Sequence, residues 1–399
     1  MTVVDPSTYA RHGTSARHIV EGMTHVAVIG AGIIGAALAD RLVRSGTTVT
    51  VIDSGRPGAG TSGTSFAWLN SNGKTPRHYH DLSVRSMREW ARLSAEFEQP
   101  FWYRPTGNIR LAVTDEERSA LAERLGHLRD WGYPAQELTA RQLADLEPTL
   151  RVPASAQIAY FPSEGFVRGG PASDALLSRA GSGGAELMLG TGDVALEASG
   201  GEVRSVRLPD GRQVQADVYV CCAGWRTSRL LQPLDVHVPL VPADEPGSDA
   251  PCLVVSTDGP SPISRVVHTA TIVNMRPGPA GGLVLESGRI NEQVDLRTPE
   301  DELDRLGQDL VQRAGQLLPG FSPSAVRGDL CVRPLPVDGH PVVGWLPELR
   351  NAYLAVSHSG ITLAPALAEL IDADIRQGAD DLGPYRPARF AGRDGVLST

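Results

Sequence analysis

The stretch from His25 to Asp53, HVAVIGAGIIGAALADRLVRSGTTVTVID, leaves few folds open. Val26, Val28 and Ile29 form a short apolar run of the buried-strand kind. Gly30-Ala31-Gly32-Ile33-Ile34-Gly35 follows without a gap. In such a turn the first glycine permits the sharp bend, the second lets backbone approach a pyrophosphate, and the third lets helix and strand pack closely. The helix that follows aims its N-terminal N–H groups at the phosphate. Gly46 ends that helix, and Val49 to Ile52 form a second strand with Asp53 at its end. An acid there suits an adenosine ribose and disfavours a 2′-phosphate, so FAD and NAD stay open and NADP does not. A glycine loop that binds nothing is the competing reading; the strand before, the helix after and the spaced acid tell against it.

The rest of the chain gives this motif its setting. Its 399 residues suffice for two domains, and the 41% hydrophobic content provides for a substantial core. A formal net charge of −9 supplies no basic excess to neutralise nucleic-acid phosphates. Cys221, Cys222, Cys252 and Cys331 show no CxxC or zinc spacing, which fits reduced thiols and a cytoplasmic location. No segment reads as a signal peptide or as a membrane span. Residues 1–22 read as an N-terminal arm.

After Asp53 a small-residue loop runs from Ser54 to Ser65. A helical pattern from His78 to about Phe97 carries Leu82, Met87, Trp90 and Leu93 on one face. His78 and His80, two apart on that helix, share no face, so both are read as solvated and not as metal ligands. Thr114 with Glu117, and Thr139 with Gln142, spell capping boxes. Phe161 to Arg168 is turn-rich, and short strands follow from Glu186 to Val220. A helix starts at Thr298-Pro299, and His358-Ser359-Gly360 opens a last one ending near Gln377.

Together the glycine motif, the Thr61–Asn72 loop, Cys222-Ala223-Gly224-Trp225, Arg333-Pro334 with Asp338-Gly339-His340-Pro341, and His358 to Leu363 resemble the D-amino-acid oxidase superfamily of flavoproteins. The pieces occur in that family's order and spread over nearly the whole chain. The resemblance implies FAD over NAD. It implies an α/β fold: a Rossmann-like FAD-binding domain (residues 23–97, 150–234 and 329–399) interleaved with an α+β substrate domain (98–149 and 235–328) that has a mixed or antiparallel sheet. It implies that Gly30, Gly32, Ile33, Ile34, Gly35, Asp53 and Ser54 hold pyrophosphate and ribose. Thr64 and Ser65 would lie beside the pyrophosphate or ring, Val194 at the adenine, and Ala223 and Gly224 at the adenosine side. Gly360, Ile361 and Thr362 would offer backbone donors to the flavin pyrimidine end. Arg333 falls where relatives bind a substrate carboxylate, with an internal ion pair as its alternative role. Cys331 falls where sarcosine-oxidase-like members attach FAD; a buried core thiol is the reading taken, and covalent FAD the alternative. His358 would shape the pocket or touch substrate, with His340 and Lys74 as lesser candidates.

The implied reaction is FAD-dependent oxidation of an amine C–N bond in an amino acid or related amine, by hydride transfer to flavin N5, giving an imine. A cyclic or specialised-metabolite amine, or an electron-transfer subunit of a dehydrogenase complex, are the alternatives. The position of an oxygen-activating lysine aligns with Val284, which leaves oxygen and another electron acceptor both open. So do a homodimer and a partner subunit. No nucleic-acid, membrane or metal partner is expected.

Overall fold

A computed structural model describes residues 24–98, 100–279 and 281–391. The arm read over residues 1–22 lies outside the described residues. The strand His25–Ile29 sits inside a six-stranded sheet and pairs in parallel with Thr48–Asp53 on one side and Val218–Cys221 on the other. Glu186–Leu189 extends it beyond Thr48–Asp53, and Leu349–Val356 beyond Val218–Cys221, both in parallel. Val342–Leu346 closes that edge antiparallel to Leu349–Val356. The central strand is buried except at its first residue, which accounts for a nearly continuous apolar run where alternation would mark a half-solvated strand.

The helix Ile33–Arg44 crosses between the first two strands and packs on the helices Gly169–Ser182 and Gly360–Gln377. Small residues permit this close three-helix layer: Ala36, Ala37 and Ala39 face Ala364, Ala368 and Ala172 in one core cluster. The helix Arg77–Ala95 covers the outer side of Gly360–Gln377, and Trp90, fully buried, donates its ring N–H to the Ile361 carbonyl at 2.8 Å. A buried indole with its N–H satisfied adds area and orientation together.

A second sheet has eight strands in the order Val326–Val332, Pro251–Thr257, Leu283–Glu286, Asn274–Pro277, Val266–Thr269, Asn108–Ala112, Gln157–Phe161 and Gln136–Leu138. It is mixed: all pairings are antiparallel except Val266–Thr269 with Asn108–Ala112. The helix Glu300–Leu317 lays Leu306, Leu310, Ala314 and Leu317 against one face, in a core separate from that of the six-stranded sheet. Both capping boxes form, with Thr114 accepting from Glu117 N and Thr139 from Gln142 N.

Three expectations need correction. Gln157–Phe161 pairs with Asn108–Ala112 and Gln136–Leu138 in the eight-stranded sheet, so a boundary at residue 150 cuts that sheet. Val326–Val332 likewise runs across the boundary at 328. His80 is not solvated: it is 2% exposed, wedged between Trp131 and Tyr133, with Nδ1 at 2.8 Å from the Ser71 hydroxyl. His78 is the exposed member of the two.

Candidate active site

The glycine turn is built so that backbone replaces side chains. Gly30 has φ of +116°, and a Cβ there would stand 2.4 Å from the Cys222 carbonyl oxygen. A Cβ on Gly35 would stand 1.9 Å from the Gly30 oxygen. Asp53 accepts from Ala31 N at 2.6 Å and from Gly55 N at 2.7 Å. The acid therefore fixes two glycine-rich loops and keeps further lone pairs for a ribose hydroxyl. The segment read as a loop after Gly60 contains one helical turn, Thr61–Thr64. Ser62 in that turn accepts from Ile33 N at 2.9 Å, capping the nucleotide helix from outside, and the Thr61 hydroxyl donates to the Val332 carbonyl.

These elements wall a cavity of about 800 Å³. Of the residues read as cofactor contacts, Gly30, Gly32, Ile33, Ile34, Asp53, Ser54, Thr64, Ser65, Val194, Ala223, Gly224, Cys331, Gly360, Ile361 and Thr362 all line it. Gly35 does not; it serves from behind by letting the helix close on the turn. Arg333, His358 and Lys74 also face the cavity, and His340 does not: it packs on Tyr79 at 5.0 Å and reaches the Thr75 carbonyl.

The residues present fit FAD. The turn and the helix start make a phosphate cradle that side chains would fill. The Ser65 hydroxyl, on the cavity wall, is buried without a hydrogen-bond partner among the described residues, a donor awaiting an acceptor. At the far end, the helix Gly360–Gln377 presents its N-terminus beside Lys74, whose ammonium donates to Ser359 Oγ at 2.5 Å. Tyr79 OH donates to the same oxygen at 2.9 Å. A cation and a helix N-terminus together favour an anionic ring edge.

His358 is exposed, and it lines the cavity. Desolvation by the surrounding cavity wall, followed by the charges of Lys74 and Arg333, lowers its pKa to about 3 despite that exposure. It is a neutral imidazole, able to hydrogen-bond but not to carry charge at neutral pH. Arg333 makes no ion pair with the described carboxylates. Its guanidinium donates to the carbonyls of Asp249 and Ala250, which position the fork and leave its charge uncompensated. Cys331 is fully buried in a small cluster with Cys252, Val254 and Val284. Hydrogen bonding from Cys252 lowers its pKa against the effect of burial.

Sequence reading missed three residues. Ser62 carried no motif of its own. Glu164, fully buried, lies in a stretch legible only as turns. Its Oε1 accepts from Ser71 N, Asn72 N and Tyr133 OH, its Oε2 from the side-chain amides of Asn72 and Asn108. It thereby pins the segment that carries Lys74. Glu286, on the cavity wall, ends a strand that reads as plain apolar sequence.

Comparison with known proteins agrees with this geometry. Residues 25–373 match the DAO family, described as FAD dependent oxidoreductase. The chain is 27% identical over 391 residues to a glycine oxidase of Geobacillus kaustophilus, covering 94% of this chain and all of the relative. It is 26% identical to a D-amino acid dehydrogenase of Methylobacterium radiotolerans, over 91% of this chain and the whole of the relative. Among solved structures, the L-proline dehydrogenase of P. horikoshii superposes with a TM-score of 0.78 at 20% identity, covering 92% of this chain and 97% of that one. No helix of the described residues is long and apolar enough to cross a membrane.

Proposed function

The chain belongs to the DAO family of FAD-dependent oxidoreductases, and from that premise we propose that it oxidises an amine C–N bond in an amino acid or N-substituted amino acid. One observation carries the reading: a single cavity joins the dinucleotide cradle at Gly30–Gly35 to the uncompensated Arg333 guanidinium. When bound, FAD would supply the two-electron acceptor for the hydride that leaves the substrate carbon, so that the amine becomes an imine.

The protein's own residues orient and polarise. Arg333 holds the substrate carboxylate, an arginine fork being matched to that group. Neutral His358 hydrogen-bonds substrate without adding a charge that would oppose loss of hydride. Lys74 and the N-terminus of Gly360–Gln377 would stabilise negative charge on a reduced flavin bound beside them. Asp53 would hold the ribose and the backbone N–H of Gly32 the pyrophosphate, the Ile33 N–H being taken by Ser62.

The test is anaerobic mixing of the FAD-loaded protein with a panel of amino acids, N-methyl amino acids and cyclic imino acids, followed near 450 nm. Loss of the oxidised-flavin band with at least one carboxylate-bearing amine is expected. Bleaching only by amines lacking a carboxylate, or by none, refutes the reading.

A further inference from the structure

Glu286 presents a carboxylate to the cavity with no cation against it among the described residues. Its environment fixes it as an acceptor at both oxygens. Asn274 Oδ1 accepts from Thr269 N at 3.2 Å, so its amide nitrogen must turn to Glu286 Oε2, at 2.6 Å. Asn291 Oδ1 accepts from Leu253 N at 3.0 Å, so its amide nitrogen turns to Oε1, at 2.5 Å. Neither amide can flip without orphaning a backbone N–H. Each carboxylate oxygen receives one amide and retains acceptor capacity toward the cavity. The neighbours on this face are Val254, Cys252 and Val284, apolar or weakly polar, and Arg276, whose guanidinium donates to the Phe66 and Pro277 carbonyls and not to Glu286. A held, unpaired carboxylate in such a wall is a receptor for a cation.

Strand register sets its distance from Arg333. Arg333 N bonds to the Ala250 carbonyl, and Cys331 stands opposite Cys252. Leu285 stands opposite Val255, which puts Glu286 beside Val254. Arg333 and Glu286 are thus separated by four residues along the sheet and two strands across it, about 17 Å between Cα atoms at 3.4 Å per residue and 4.8 Å per strand. The arginine side chain reaches about 7 Å and the glutamate about 4 Å, so more than about 5 Å separates the charges even if each points at the other. The Arg333 guanidinium bonds instead to Asp249 and Ala250, away from Glu286. An α-ammonium lies only about 3 Å from its own carboxylate and cannot meet both.

We propose that Glu286, oriented by Asn274 and Asn291, is a subsite for a second, distal cation, and that the protein acts on amino acids whose side chain ends in a guanidinium or ammonium group. The inference rests on Arg333 as the carboxylate clamp. Glu286 is a specificity residue, not a participant in the bond-breaking step.

The experiment measures dissociation constants of near-isosteric ligand pairs through the perturbation of the flavin spectrum, in the anaerobic FAD-loaded protein. The pairs are arginine with citrulline and lysine with norleucine, both enantiomers of each; where a ligand bleaches the flavin, the concentration dependence of bleaching gives the constant. In the wild type the cationic member is expected to bind at least tenfold more tightly. In Glu286→Gln the preference is expected to collapse toward one. Glu286→Ala, which sets no amide N–H against Asn274 and Asn291, repeats the measurement if the glutamine variant does not fold. Equal binding within the wild-type pairs, no binding by any of them, or a preference that survives both variants overturns the proposal. Bleaching by neutral amino acids alone overturns this subsite and leaves the proposed reaction standing; no bleaching by any carboxylate-bearing amine defeats that reaction too.

Discussion

Replacing Glu164 by glutamine changes one oxygen into an NH2 at the centre of five donors. The side of the carboxylate that faces Ser71 N, Asn72 N and Tyr133 OH retains an oxygen. The other side then sets an amide NH2 against the NH2 groups of Asn72 and Asn108. Asn108 can rotate to accept, because its Oδ1 has no partner to lose. Asn72 cannot rotate freely, because its Oδ1 accepts from Arg124 at 3.3 Å. One buried donor is therefore left unpaired, at about 1–3 kcal/mol. Three charge-assisted bonds become neutral ones, at about 0.5–1 kcal/mol each. Against this stands the desolvation of a buried carboxylate, which raises the pKa of Glu164 and which glutamine does not suffer. The net expectation is a loss of about 3 kcal/mol. For a chain of 399 residues that amounts to roughly 4 °C in melting temperature. The assay is thermal release of FAD, followed by flavin fluorescence, with far-ultraviolet circular dichroism as the second probe. Because Glu164 anchors Ser71 and Asn72 just before Lys74, flavin release should precede the loss of secondary structure in the variant. A melting temperature within about 1 °C of wild type, or above it, refutes the claim that this carboxylate holds the loop.

Gly35→Ala should yield protein without retained FAD, since the added carbon meets the Gly30 oxygen at 1.9 Å; absorbance at 450 nm after gel filtration checks it. Arg333→Ala should raise KM for a carboxylate substrate by about a hundredfold, as expected for a lost charge-assisted fork, with a much smaller change in kcat. In the folded chain desolvation, then the charges of Lys74 and Arg333, lowers the His358 pKa toward about 3, from near 6.5 in the unfolded chain. The unfolded state therefore binds more protons between those values, and stability should fall as pH drops through this window. His358→Gln should flatten that part of a denaturation midpoint–pH profile, and an unchanged slope counts against the assignment. Acid precipitation of the yellow protein should leave the colour in the supernatant, because Cys331 is packed as a core thiol. Colour retained in the pellet would place a covalent link there.

How much of this was legible beforehand follows from the range of the interactions. The strand–turn–helix–strand at His25–Asp53 is local, and its glycine spacing carries its own geometry, so it could be read in full. Both capping boxes lie within four residues of sequence and could be read for the same reason. The pairing of Gln157–Phe161 with Asn108–Ala112 depends on partners 45 to 53 residues apart, and nothing within either strand announces it. His80 sits among polar neighbours in sequence, and only Trp131 and Tyr133, brought in from a later segment, bury it. Ser62 and Glu164 act on backbone groups contributed by distant segments, which no local pattern encodes. Glu286 follows three apolar strand residues and reads as a strand end; its meaning depends on Asn274 and Asn291, which only the sheet brings together.

The order of strands in the parallel sheet has a consequence for synthesis. Among the described residues the earliest strand, His25–Ile29, lies at the interior of the sheet and waits for Val218–Cys221, which in turn waits for Leu349–Val356. The cavity is closed at one end by residues near 30 and at the other by residues 358–362. On a ribosome, a partial chain has the phosphate cradle but no far wall, so it can touch the nucleotide and not keep it. Cofactor capture thus reports on the far wall: a chain that stops before residue 358 should stay colourless, and retained yellow colour signals that the helix Gly360–Gln377 has docked.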